Sequence, residues 1–181
     1  MQNIIPCLCF NDQAKQAATF HTSLFEDARI VTVTRWGEQE LAALARVPEA
    51  IRPGPAGAVR SVTFELFGQQ FLTVNGGGHF TFNNGISLMV QCETQQALDA
   101  LWQTLADGGQ EIECGWLTDR FGVSWQVIPT ALEAMANDPD PEKSQRVRAA
   151  VLQMKKFDIT AQKQAYEGHT GSSHDSDISH V

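Results

Sequence analysis

Basic residues are scarce in this sequence, and their scarcity limits its partners. Lys and Arg number 13 against 21 Asp and Glu among 181 residues, which gives a formal net charge of −8 at pH 7. Phosphate backbones are bound by clustered Lys and Arg, so this balance argues against a nucleic-acid partner. Hydrophobic residues make up 43% of the chain and charged residues 19%, a composition typical of globular rather than disordered proteins.

Long apolar runs are absent as well. No stretch approaches the roughly 20 consecutive apolar residues of a membrane-spanning helix. The first residues, MQNIIPCLCFND, do not show the basic start and long apolar stretch of a secretory leader. We therefore expect a cytoplasmic protein with no membrane partner.

Cysteine is rare too. Of the four cysteines, Cys7 and Cys9 lie two residues apart on a predicted strand, whereas Cys92 and Cys114 stand alone. Structural zinc sites use paired spacings such as CxxC or matched Cys and His, and none is present. We interpret the four cysteines as buried free thiols.

What the sequence does contain is an internal repeat. IPCLCFND at residues 5–12 overlies ISLMVQCE at residues 86–93, and a helical period follows each copy. Farther along, FGQQFLTV at residues 67–74 overlies FGVSWQVI at residues 121–128. Each copy reads as strand, helix, strand, strand, strand, and the first is longer mainly because of residues 38–55.

The repeat predicts an α+β fold with two tandem βαβββ modules that form a curved mixed sheet. Neither copy can bury its sheet face alone, so we expect one domain over residues 1–157. Its parts are module one at about 3–75, module two at about 85–129, and C-terminal helices at about 131–157. Residues 158–181 are predicted as a polar, disordered tail.

Several separated stretches carry a further signal in the same order along the chain. They are IIPCLCFND, FGQQFLTVNGGGHFTFNNGISLMVQCET, GWLTDRFGVSWQVIP, and LQMKKFDI with AYEG near the end. With the doubled βαβββ pattern, they resemble the PhnB-like branch of the vicinal oxygen chelate superfamily (glyoxalase, bleomycin-resistance and dioxygenase proteins) over about residues 1–168. The resemblance implies two modules whose curved sheet encloses a pocket, in a homodimer.

Proteins of that branch often carry the name 3-demethylubiquinone-9 3-methyltransferase. A methyl-donor site on a doubly wound sheet needs a glycine-rich turn that follows a strand and opens a helix. GGGHFTF, residues 76–82, follows a predicted strand but leads toward another extended segment. We interpret it as a linker and predict no cofactor.

The resemblance also implies where a metal would be held. Metal enzymes of the superfamily take His, Glu or Gln from the first and last strands of each module. In this chain those positions fall at Gln126 and Leu72, each four residues after a turn glycine, and at about Pro6 and Ser87, or one residue earlier at Ile5 and Ile86. A catalytic divalent metal generally needs three ligands of the His, Asp, Glu or Cys type, so we predict no metal at this site.

Strand alternation assigns residues to the predicted pocket. If Gln126 faces inward, Ser124 and Ile128 do so too, while Trp125 and Val127 pack against helices. The same parity adds further residues from both modules: Pro6, Leu8, Phe10, Leu72, Val74, Ser87, Met89 and Gln91. We therefore predict a mainly apolar site, with Phe10 in its wall, whose polar groups orient a ligand: Gln126, Ser87, Gln91 and Ser124. The alternative is that dimer packing closes this face.

Three more residues are candidates near the mouth of the pocket. Arg35 and Trp36 offer a cation and a flat aromatic wall, with an exposed Arg and a core Trp as the alternative interpretation. Residues 38–55 have the length of a lid. His79, near the junction of the modules, is the candidate catalytic acid or base.

These observations favour a protein that binds a small, partly apolar organic molecule in a metal-free pocket. A metal-dependent lyase, isomerase or dioxygenase of the same superfamily, with non-standard ligands, is the alternative. A structural or regulatory dimer without a ligand is the third interpretation.

Overall fold

The computed structural model describes residues 4–48, 52, 54–78 and 80–169, and over these residues the chain has an α+β fold. It divides into two compact units, Met1–Asn83 and Asn84–Val181, and each unit carries one four-stranded mixed sheet. In the part of the chain that is described, no helix combines the length and apolar character needed to cross a membrane.

The first unit follows the predicted order of elements. Its elements are β1 (Cys7–Phe10), α1 (Ala14–Ser23), β2 (Ala28–Arg35), α2 (Glu38–Ala43), β3 (Val59–Leu66) and β4 (Gln69–Asn75). The sheet order is β1-β4-β3-β2, with β1 parallel to β4 and the other neighbours antiparallel. Helix α1 packs on this sheet through Ala14, Ala17 and Ala18, whose spacing places three small side chains on one helical face.

The second unit repeats this arrangement and then adds helices. Its elements are β5 (Leu88–Cys92), α3 (Gln95–Ala106), β6 (Gln110–Glu111), β7 (Trp116–Thr118), β8 (Ser124–Pro129), α4 (Leu132–Ala136), α5 (Pro141–Val151) and α6 (Ile159–Glu167). The sheet order is β5-β8-β7-β6, with β5 parallel to β8. Both sheets therefore have the same topology, and the doubled βαβββ prediction is confirmed.

The two helices that follow the first strands begin differently. Thr94 Oγ1 accepts a hydrogen bond from Ala97 N at 3.2 Å, which is the side-chain cap expected for α3. Helix α1 has no such cap from its own segment. Instead Asn75 Oδ1, at the end of β4, accepts a hydrogen bond from Ala14 N at 2.8 Å. A side chain of the sheet thus accepts a hydrogen bond from one of the free backbone N–H groups at the start of α1.

One strand prediction is wrong by a single residue. Phe10 pairs with Asn75 in the first sheet, and Cys92 pairs with Pro129 in the second, so Phe10 corresponds to Cys92 rather than to Gln91. The reason is that the connection from β1 to α1 is one residue longer than that from β5 to α3. A slip of one residue reverses every side chain on a strand.

The slip corrects the predicted role of Phe10 in the pocket wall. Leu8 and Phe10 are buried on the side of the sheet where α1 lies, and Phe10 is 3% exposed. Cys7 and Cys9, instead, share the opposite face with Leu72 and Val74.

The predicted tail also begins too early. Helix α6 occupies Ile159–Glu167, where Asp158 Oδ1 accepts a hydrogen bond from Ala161 N at 2.9 Å, and Gly168 ends the helix with φ 81°. The polar composition of this segment concealed these two helix boundary signals. Residues 170–181 lie outside the described residues.

The segment between α5 and α6 connects the C-terminal helices to the rest of the second unit. Cys114 N donates to Met154 O and Gly115 N donates to Lys155 O, both at 2.8 Å. The side chain of Gln95, at the start of α3, accepts from Ile159 N at 2.8 Å and donates to Phe157 O at 3.1 Å. The buried ring of Phe157 lies against Gly115.

Candidate functional site

Successive side chains of β8 alternate between the two faces of the second sheet. Trp125 and Val127 are 1% and 0% exposed and lie on the side where α3 packs, while Gln126 and Ile128 are half-buried on the opposite face. Strand pairing assigns neighbours on β5 and β7 to that same face. We call it the Gln126 face, and it consists of Met89, Gln91, Trp116, Thr118, Ser124, Gln126 and Ile128. The alternation predicted for β8 is confirmed.

Asp119 holds the turn that leads into β8. Its Oδ1 accepts hydrogen bonds from Phe121 N at 2.8 Å and Val123 N at 3.0 Å. Its Oδ2 accepts from Trp125 Nε1 at 2.9 Å, and Asp119 is only 3% exposed. Because the indole is fixed on the α3 side, Gln126, the next residue, is directed to the opposite face.

A hydrogen bond joins the two residues at which the resemblance implied ligands in the second module. Gln126 Nε2 donates to Ser87 Oγ at 2.8 Å, in partly buried surroundings. Ser87 lies immediately before β5, so the bond links β8 to the residue that leads into the neighbouring strand. It restricts rotation of the Gln126 amide and leaves its carbonyl oxygen directed away from Ser87.

Ser124 is a buried member of this face rather than an open contact point. It is 2% exposed, and its Oγ donates to Asn84 Oδ1 at 2.7 Å. The sequence interpretation missed Asn84, although the Asn84-Gly85 pair is a common turn signal ahead of a strand. Ser124 and Asn84 thus tie the chain before β5 to the beginning of β8.

The accessible part of the Gln126 face mixes apolar and polar groups. Met89 is 55% exposed, Gln91 is also exposed, and Trp116 and Ile128 are half-buried. Trp116 pairs directly with Gln126 across β7 and β8, a neighbour that the sequence interpretation did not identify because the register of β7 was not predicted. An apolar molecule with hydrogen-bonding groups matches this surface chemically.

The metal-ligand positions of the superfamily do not offer a suitable donor set. The corrected register makes Ile5, not Pro6, the counterpart of Ser87, and Leu72 remains the counterpart of Gln126. Two of the four positions are therefore aliphatic. Among the described residues, no group of three or more His, Cys, Asp or Glu side chains is placed to hold a metal ion. These residues do not fit a catalytic divalent metal.

The other predicted site residues belong to the first unit. Arg35 Nη1 donates to Gly57 O at 2.7 Å, and the Trp36 ring lies beneath the Arg60 guanidinium, 5.1 Å from its centroid. Both residues therefore hold the chain around the insertion at residues 38–55. His79 lies outside the described residues, so its catalytic role stays a prediction.

The insertion contains a cavity of its own. Its volume is about 220 Å³, and it is lined by Leu41, Leu44, Arg52, Gly54 and Pro55. Arg52 donates hydrogen bonds to Val47 O at 2.5 Å and Ala45 O at 2.6 Å, so its guanidinium is engaged by backbone carbonyls. Of the predicted site residues that the structure describes, none lines this cavity, and the lid role of the insertion stays a prediction.

Three of the four thiols differ from the predicted burial. Cys7 is exposed, Cys9 and Cys114 are half-buried, and Cys92 is buried. Partial burial raises the pKa of the Cys7 thiol, and the neighbouring Cys9 raises it further, in part through a hydrogen bond between the two side chains. Burial raises the pKa of the Cys92 thiol as well.

Comparison with known proteins gives one family. The family model described as 3-demethylubiquinone-9 3-methyltransferase matches residues 2–128. The structure of a PhnB protein from Bacillus cereus is 34% identical, with a TM-score of 0.58, and the match covers 70% of this chain and 99% of that one. Protein PA1353 from Pseudomonas aeruginosa shares the fold at 19% identity and a TM-score of 0.50, over 71% of this chain and 98% of its own. No curated protein matches the chain.

Proposed function

Because this chain belongs to the 3-demethylubiquinone-9 3-methyltransferase family, in the PhnB-like branch of the vicinal oxygen chelate superfamily, we propose that it binds a small, partly apolar organic molecule on the Gln126 face. In this proposal, binding uses no catalytic divalent metal. Gln126 and Ser87 orient the ligand, and Gln91 offers a further polar contact. Ser124 holds the beginning of β8 in place through its hydrogen bond to Asn84.

The observation that carries this proposal is the hydrogen bond from Gln126 Nε2 to Ser87 Oγ. An amide held by a neighbouring hydroxyl presents its carbonyl oxygen in one orientation, so a ligand donor meets an acceptor that is already ordered. Met89, Trp116 and Ile128 surround the pair with apolar surface. Such a surface favours ligands with an apolar body and at least one hydrogen-bond donor.

Methyl transfer is not part of the proposal, despite the name of the family. The described residues after Gly76–Gly78 form no helix until α3 begins at Gln95, and an extended strand, β5, comes first. A dinucleotide-type or methyl-donor site places its glycine-rich turn directly at a helix N-terminus.

We further propose that the protein is a cytoplasmic homodimer in which β2 pairs with β2 of a second copy. Strand β2 is an edge strand, and its Ile30, Val31 and Val33 side chains are exposed. Exposed apolar edges are usually covered in stable proteins. The run RIVTVTR reads almost alike in both directions about Thr32, so antiparallel self-pairing sets Val31 opposite Val33. Light scattering of the two proteins tests this interface, with a dimer expected for the wild type and a monomer for Val31→Lys. If both proteins are dimers, β2 does not form the interface.

The ligand proposal is tested by a binding screen on protein purified without a His tag. The panel contains small molecules with an apolar ring or chain and one or two hydrogen-bonding groups. A true ligand raises Tm by roughly 5 °C when present at about 100 times its Kd. Gln126→Leu, which installs the residue that the first module carries at Leu72, is expected to lower that rise by at least about a third. Gln103→Leu, on an exposed position of α3, is the matched control.

Elemental analysis of the same preparation separates this proposal from a metal-dependent lyase, isomerase or dioxygenase. We expect no near-stoichiometric Fe, Mn, Ni or Zn. A full equivalent of any of these metals, lost in Gln126→Leu but kept in Gln103→Leu, would overturn the proposal in favour of the enzyme.

A further inference from the structure

Two cysteine side chains lie on the same face of an edge strand in the first sheet. Cys7 and Cys9 are two residues apart on β1, which is the outermost strand next to β4. They pair with Leu72 and Val74, so all four side chains share one face. Both thiols are free, Cys7 is exposed and Cys9 is half-buried. A solute can therefore reach the pair.

The spacing of the pair disfavours an internal disulfide. Residues two apart on an extended strand lie about 6.6 Å apart at Cα, and their side chains stand side by side rather than converge. A disulfide requires Cβ atoms within about 3.5–4.5 Å and sulfurs about 2.05 Å apart. Closing that bond would bend β1 away from its ladder with β4.

The same spacing suits two sulfurs on opposite sides of one metal ion. Two metal–sulfur bonds of about 2.3 Å in a line span about 4.6 Å, a separation that neighbouring thiols on a strand reach without bending the backbone. Because Cys7 and Cys9 pair with Leu72 and Val74 on the neighbouring strand, their sulfurs leave the same face of β1 with no side chain of that strand between them. The ion must then accept two thiolates and no further protein ligand.

The surroundings determine which ion fits. Zinc prefers four protein ligands in a structural site, and the described residues contain no group of three or more His, Cys, Asp and Glu that could hold it. Soft thiolate ligands select Cu(I), which accepts two-coordinate binding. The half-buried aliphatic neighbours, Leu72 and Val74, offer no hard oxygen donor to compete.

We propose that Cys7 and Cys9 form a two-thiolate binding site for Cu(I). On binding, each thiol releases one proton, two copper–sulfur bonds form, and no electron is transferred. The site is distinct from the Gln126 face in both residues and chemistry, and it does not depend on the ligand proposed there.

The test is an anaerobic titration of the full chain with Cu(I), in competition with a chromophoric Cu(I) chelator. Wild type and the double variant Cys92→Ser/Cys114→Ser are expected to bind one Cu(I) per chain at this site, with two sulfur neighbours in X-ray absorption. Cys7→Ser and Cys9→Ser are each expected to weaken that binding at least tenfold. Zn(II) at the same concentration is expected to leave both thiols open to alkylation.

Histidines in the chain can also take up copper, so the sulfur signal decides the outcome. Unchanged sulfur coordination in Cys7→Ser, or its loss in Cys92→Ser/Cys114→Ser with an unchanged Tm, overturns the proposal. A Cys7–Cys9 disulfide that forms under mild oxidation without lowering Tm contradicts the spacing argument. Equal Tm values for wild type, Cys7→Ser and Cys9→Ser show that the variants are folded.

Discussion

The indole N–H of Trp125 donates to the buried carboxylate of Asp119 at 2.9 Å, and this contact orients the strand that carries the candidate site. The other oxygen of Asp119 accepts two backbone N–H groups of the preceding turn. Three donors therefore converge on one carboxylate, on the side of the sheet opposite Gln126.

Replacement of Asp119 by Ala is expected to destabilise the protein strongly. Three donors, two of them backbone groups, lose their acceptor in a buried setting, and unsatisfied buried donors cost about 1–3 kcal/mol each. With partial rescue by water, we expect a loss of about 2–4 kcal/mol in the free energy of unfolding. Urea denaturation followed by tryptophan fluorescence measures it.

The control for this prediction is Asp107→Ala. Asp107 pairs with Arg120 at the surface, where ion pairs contribute about 0–1 kcal/mol. Similar losses for the two variants would mean that Asp119 does not organise the turn.

Gly115→Ala tests how the C-terminal segment packs on the second sheet. A Cβ at Gly115 would lie 2.5 Å from Phe157 Cε2 and 3.0 Å from Val127 O, and the backbone has φ +77°. At Gly68, φ is +76°, but nothing lies within 4 Å of an added Cβ. Both Ala variants carry the left-handed backbone penalty of about 1 kcal/mol, and we expect Gly115→Ala to lose at least about 2 kcal/mol more in unfolding free energy.

A double variant makes that comparison specific. Phe157→Ala alone is destabilising because it opens a cavity, but in the Gly115→Ala background its additional effect should be smaller. Equal urea midpoints for Gly115→Ala and Gly68→Ala would show that Phe157 does not lie against Gly115.

The only tyrosine in the sequence reports on the C-terminal helices. Tyr166 OH donates to Asp138 Oδ2 at 2.6 Å, and this bond raises the pKa of Tyr166 and lowers the pKa of Asp138. Titration of the phenolate absorbance should therefore give a midpoint above the ordinary value of about 10. Asp138→Asn should return the midpoint toward that value, while Asp12→Asn, at an exposed position, should not.

The pKa shifts of Tyr166 and Asp138 determine how this pair's contribution to folding stability depends on pH. The raised pKa of Tyr166 means that its contribution is present below the ordinary phenol pKa and is lost as pH rises through the raised value. The lowered pKa of Asp138 means that its contribution is present above the ordinary carboxyl pKa and is lost as pH falls through the lowered value. A folded-state phenol midpoint equal to that of the urea-unfolded chain contradicts the statement about Tyr166.

The sequence was informative wherever a local period repeated. Alternation in β8 correctly separated Gln126 from Trp125 and Val127, and the doubled pattern predicted the order of strands and helices along both units. It misplaced Phe10 because one extra residue between β1 and α1 reverses the parity of the strand, and apolar residues on both faces conceal such a shift.

Contacts between distant residues could not be predicted in the same way. The bond from Ser124 to Asn84 joins residues 40 positions apart, and that from Gln126 to Ser87 joins residues 39 apart. Such pairs depend on strand register, which the periodicity of one strand does not determine. Helix α6 was missed for a different reason. Its polar composition was read as disorder, although Asp158 and Gly168 mark the two ends of a helix.

Calorimetric titration of the best ligand from the binding screen tests the central claim most directly. Wild type and Gln103→Leu are expected to bind with the same Kd within twofold, whereas Gln126→Leu should weaken binding at least fivefold because a buried ligand donor loses its acceptor. Gln126→Leu with a wild-type Kd, or a panel in which no molecule binds the wild type, would contradict a ligand site on the Gln126 face.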